Sequence, residues 1–78
     1  MKISTAGNVI VPAILAIESM GYSIKWDDKI VVAVKDDDQY CADDPLSLLG
    51  LIKLVETRSW EWGATDAEIE ATLNRHKL

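Results

Sequence analysis

The sequence predicts an α+β fold. A small antiparallel sheet of two to three strands, with a hairpin at 22–35, packs against two apolar helices, and a short third helix closes the C-terminal end. Three observations carry this reading. Two β-branched or alternating runs, "YSIKW" and "KIVVAVK", lie about two residues apart, the spacing of a hairpin. Two strongly apolar runs, "VIVPAILAIESM" and "PLSLLGLIKLV", flank that hairpin in the chain. Each carries helix signals, and each is too apolar to stand uncovered in water. The order of helix, strands and helices then favours a single sheet backed by helices.

The N-terminal "KIST" (residues 2–5) reads as a weak first strand, broken by "TAGN". Asn8 is the expected N-cap of the first helix, which starts between residues 8 and 11. Pro12 then falls in the first turn, where no backbone hydrogen bond is lost. Gly21 ends the helix, being free to take positive φ. So little of this helix is polar that coverage on most sides is expected.

In "YSIKW", Tyr22, Ile24 and Trp26 share one face, with Ser23 and Lys25 on the other. In the partner strand, Ile30, Val32 and Val34 are expected to share a face, with Val31 and Ala33 behind. "KDDDQ" turns the chain, and "QYCA" returns as a third strand.

Asp44 and Pro45 open the second helix. A carboxylate accepts the free amide hydrogens of the first turn, and proline has no amide to leave unpaired. Gly50 sits in mid-helix at a cost of about 1 kcal/mol against alanine, which suggests a close backbone approach. "TDAE" at Thr65 to Glu68 is a capping box that opens the third helix. Ile69 and Leu73, four apart, are its expected buried stripe. This helix is short and polar, and is expected to lie across a sheet edge.

Seventy-eight residues make one domain, 1–78, with a thin core: a chain of this size buries only about 60% of its unfolded surface. Apolar residues make up 49% and charged residues 27%, the balance of a globular chain. Cys41 is the one cysteine, so no disulfide forms within the chain, which fits a reducing compartment. The apolar run at 9–17 lacks the basic n-region and small-residue cleavage site of a signal peptide, and no run reaches the length of a membrane span. The expected location is the cytoplasm.

The net charge is −5, and seven of the eight aspartates fall between positions 27 and 44. Such a chain repels a phosphate backbone, so nucleic acid is excluded as a partner. The aspartates do not make a calcium loop of EF-hand type. Counted from Asp36, the glycine position holds Cys41 and the final glutamate position holds Ser47. With one histidine, His76, and one cysteine, no transition-metal set forms. No phosphate-binding glycine loop, nucleophile elbow or zinc-protease motif is present, so no catalytic residue, metal ligand or cofactor is assigned.

The expected function is therefore that of a small acidic, non-enzymatic module that binds another protein, such as a stoichiometric inhibitor or immunity-like protein for a basic partner. The expected contact residues are Asp36, Asp37, Asp38 and Asp43, which supply charge, and Trp60 and Trp62, which supply aromatic anchors. Asp43 is expected beside the Asp36 to Asp38 turn, and Asp27 and Asp28 at the opposite end of the strand pair. The alternatives are a self-associating subunit, a homodimer in its simplest form, and a module that binds divalent cations weakly.

Overall fold

The computed structural model describes residues 1–3 and 8–78, with the backbone alone at Trp60. The order of elements is α1 (Ile10–Ser19), β1 (Ser23–Asp27), β2 (Ile30–Lys35), β3 (Asp38–Ala42), α2 (Pro45–Arg58), a 3-10 turn (Ser59–Glu61) and α3 (Asp66–His76). The predicted strand at 2–5 lies in part outside the described residues; positions 1–3 are not in a strand.

The sheet is three-stranded and antiparallel, in the order β1-β2-β3. Its register pairs Trp26 with Val31 and Val31 with Ala42; two steps along, Ile24 pairs with Ala33 and Ala33 with Tyr40. These rows form the core face. Ile17 of α1 and Leu48 and Ile52 of α2 close over Val31 and Ala33, and all five are 0% exposed. Together they make the buried centre of an α+β fold, with both helices on one side of the sheet.

The face of β2 is the reverse of the expected one. Val31 and Ala33 point to the helices, while Ile30, Val32 and Val34 point to the opposite side, which no described helix covers. Val32 is nevertheless 4% exposed, because the register sets Lys25 and Cys41 on either side of it. Long side chains on neighbouring strands shield the middle of an open face in this way.

Both hairpin links are two residues long, Asp28-Lys29 and Asp36-Asp37. Each has positive φ at its first residue, 57° at Asp28 and 55° at Asp36. Aspartate tolerates this conformation better than most residues, because its short side chain bonds to nearby backbone. Two of the acidic residues are thus explained by turn chemistry.

Short links reverse the chain at every step. As a result α1, β2 and α2 run one way, and β1 and β3 the other. The start of α1, the Asp28-Lys29 turn and the start of α2 share one end of the domain. The Asp36-Asp37 turn and the end of α2 share the other.

Asp44 and Pro45 start α2 as expected, and Thr65 and Glu68 form the complete capping box of α3. Four other expectations are corrected. Val9, not Asn8, occupies the cap position of α1, and no side chain among the described residues caps it. That helix is open on one side: Ile10, Val11 and Leu15 are 50–60% exposed. Nothing approaches Gly50, which would accept a Cβ freely. Finally, α3 does not cross a sheet edge. None of its residues is buried, and it makes no extended packing with another element. The Cα radius of gyration is 14.8 Å, against about 11.5 Å for a compact chain of this length.

Candidate protein-binding face

The register redistributes the aspartates. Because β3 returns antiparallel to β2, its last residue Ala42 lies beside Val31, next to the Asp28-Lys29 turn. Asp43 and Asp44 therefore join Asp27 and Asp28 at one end of the sheet, with Lys29 as the only base in those turns. Asp36, Asp37 and Asp38 stand alone at the other end. The expected grouping of Asp43 with Asp36 to Asp38 is overturned by strand direction.

The two ends differ in what accompanies the charge. At the Asp36 end, Tyr22 and Tyr40 meet edge to face, with ring centroids 5.8 Å apart. The Lys35 Nζ sits 5.3 Å from the Tyr22 ring centroid and donates to the Met20 carbonyl at 2.9 Å. Burial, and after it the neighbouring Tyr40, pushes the Tyr22 hydroxyl above its ordinary pKa. Both rings pack against the core. The two rings nearest these aspartates are therefore held against the core, and the exposed ring on this side, Trp62, belongs to the α2–α3 junction.

At the other end Trp26 lies on the core face, yet is 53% exposed. It sits on the edge strand β1; Val31, beside it in the same row, is covered by the helices, and Trp26 is not. Leu46, in the first turn of α2, is 45% exposed at the same end. Asp27, Asp28 and Asp43 are all exposed there. Two strand spacings, about 10 Å, separate the Trp26 and Ala42 backbones, so a tryptophan, a leucine and three aspartates gather at one end of the sheet. Sequence reading missed Trp26 because alternation placed it on the core face. It gave no measure of how far along that face the helices extend.

Asp44 belongs to this end but is committed elsewhere. Its carboxylate accepts from the Ser47 amide and the Ser47 hydroxyl, both at 2.8 Å. The amide bond, then the hydroxyl bond, holds its pKa below the usual carboxylate value. Glu68 is lowered in the same direction, first by the Thr65 amide and then by Arg58. A carboxylate with a depressed folded pKa contributes stability that is complete above the unfolded pKa, near 4, and is lost as pH falls through the folded one. The urea midpoint is therefore expected to fall between about pH 5 and pH 3, and less steeply for Asp44→Asn. At pH 7, Asp44→Ala should lower Tm by about 5 °C, the ordinary cost of a lost cap. A midpoint flat down to pH 3 would show that neither carboxylate holds its bonds in solution.

The remaining predicted contacts lie at the junction of α2 and α3, next to the Asp36 end. Trp62 is 43% exposed, and the side chain of Trp60 lies outside the described residues. Arg58 organises the junction. Its Nε donates to the Trp62 carbonyl at 3.0 Å, and its Nη2 donates to the Gly63 carbonyl and to both Glu68 oxygens at 3.2–3.4 Å. Beside it lies an open cleft of about 430 Å³ lined by Thr57, Arg58, Glu61, Gly63, Thr65 and Glu68. Arg58, its one cationic side chain, is already paired. The structure thus brings Asp43 together with Asp27 and Asp28, and separates it from Asp36, Asp37, Asp38 and Trp62.

Among the described residues no three His, Cys, Asp or Glu side chains converge to hold a metal ion. No described helix is long and apolar enough to cross a membrane. No family model matches the sequence, and neither the curated proteins nor the solved structures contain a match.

Proposed function

We propose that this domain is a non-enzymatic protein-binding module, of the inhibitor or immunity-like kind, that presents the Trp26 end of its sheet to a basic partner surface. One observation carries the reading. A tryptophan stands half in water on the face that elsewhere forms the core, among Asp27, Asp28 and Asp43. Interface energy concentrates in aromatic anchors, and rim charge sets the association rate and the choice of partner. Here the two coincide, whereas at the Asp36 end the rings beside the charge, Tyr22 and Tyr40, pack against the core, and the exposed Trp62 belongs to the α2–α3 junction. Asp36, Asp37 and Asp38 then add to the long-range field that steers a basic partner, without forming the contact.

The test is a low-salt affinity capture from source lysate, run in parallel on the wild type and two variants. A basic protein retained by the wild type should bind Trp26→Ala at least about 30-fold more weakly, the size of a hot-spot loss. The triple change of Asp27, Asp28 and Asp43 to Asn should slow association and flatten its salt dependence. All these side chains are exposed, so both variants should keep the wild-type circular dichroism spectrum. A partner indifferent to both variants but lost on changing Asp36, Asp37 and Asp38 to Asn would place the contact at the opposite end and sink the proposal.

A further inference from the structure

We propose that α3 is a dimerisation arm, and that its apolar stripe docks on the open face of α1 in a second copy of the chain. The two faces match in spacing. On α1, Val11 and Leu15 are 51% and 60% exposed, and Glu18 follows on the same side of the helix. On α3, Ile69 and Leu73 are 44% and 41% exposed, followed by the basic last turn of Arg75 and His76. Residues at i, i+4 and i+7 share a helix face. Parallel docking therefore sets Ile69 by Val11, Leu73 by Leu15, and His76, with Lys77 after it, by Glu18.

Charge selects both the direction and the copy. Glu18, Arg75 and Lys77 make no ion pair among the described residues. Helix α1 has no acid in its first turn, so Asp66 and Glu68 at the start of α3 meet no like charge in the parallel arrangement. In the antiparallel arrangement they fall beside Glu18. Within one chain only the antiparallel arrangement is open. α3 leaves the end of α2 that lies beside the end of α1, so folding back would run it against α1. The Arg58 bonds to the Trp62 and Gly63 carbonyls and to Glu68 tie the base of α3 to the end of α2, and α3 makes no extended packing against α1.

A two-fold pair of copies satisfies both arms at once, each α3 covering the other copy's α1. This reciprocity doubles the buried surface, as a short helix contact requires if it is to approach the ~1,000 Å² of a stable interface. The arm leaves the domain at the opposite end from the proposed partner face, and its dock on α1 uses none of Trp26, Asp27, Asp28 or Asp43, so the two functions are separable by substitution.

The experiment is sedimentation equilibrium of the full chain across a range of concentrations, with helicity monitored by circular dichroism. The wild type should show a monomer–dimer equilibrium. Leu73→Glu and Leu15→Glu should each weaken the dimer at least about 100-fold with helicity unchanged. Glu18→Lys should weaken it about tenfold, and adding His76→Glu and Lys77→Glu should restore it. Trp26→Ala should leave the mass unchanged, which separates this test from that of the partner face. A chain monomeric at all concentrations, or a dimer indifferent to Leu73→Glu, overturns the proposal.

Discussion

Leu48→Ala is expected to remove most of the stability of this protein. Leu48 is 0% exposed and sits between α1 and the sheet, in a cluster with Ile17, Val31, Ala33 and Ile52. Deleting a buried leucine side chain costs about 2–5 kcal/mol, the loss of burial plus the cavity left behind. A domain of this length is stable by roughly 4–12 kcal/mol in all, and so thin a core places it toward the low end. Tm should fall by about 15–25 °C, and the urea midpoint should move with it. The control lies in the same helix. Leu46 and Leu54 are 45% and 43% exposed, and changing either to alanine should cost about 1 kcal/mol or less. Equal losses at positions 46 and 48 would mean that α2 packs on another face.

Ser59→Gly should act in the opposite direction. Ser59 ends α2 with φ 66° and ψ −163°, while its amide bonds to the Val55 carbonyl. Only glycine occupies that region readily, and another residue held there stores about 1–3 kcal/mol of strain. Glycine relieves the strain but gains freedom in the unfolded chain, worth about 0.5–1 kcal/mol. The net effect is a gain of about 1 kcal/mol and a rise in Tm of about 4–8 °C. Ser59→Val should lower Tm. The strain persists because both sides of the residue are fixed: α2 is anchored by Leu48 and Ile52, and the following carbonyls are held by Arg58.

The features legible in the sequence are those whose causes are local. Asp44 with Pro45, and Thr65 with Glu68, announce helix starts within four residues, because a cap is a bond between near neighbours. The hairpin is equally local. Features that depend on distant coverage were not legible. The four-residue spacing of Ile69 and Leu73 says that α3 is amphipathic, but not what covers it. Alternation puts Trp26 with Tyr22 and Ile24, and only its place on the edge strand, beside a Val31 that the helices do cover, leaves it in water. The place of Asp43 stands between these cases. It follows from counting β3 as a full antiparallel strand, which returns the chain to the end where the hairpin began.

The order of the elements bears on how fast this chain reaches its native state. From α1 to the 3-10 turn, and apart from the meeting of α1 and α2 and of α2 with β2, each element packs chiefly against the one that follows it in sequence. Two-residue links close both hairpins. Little chain must be gathered before contacts begin to form, and proteins dominated by such local pairings fold within about milliseconds. The one late step is the approach of Ile17 to Leu48 and Ile52, which closes the whole sheet as a loop. Substitutions at those positions should therefore slow folding, while changes in the hairpin turns should mainly alter the rate of its earliest events.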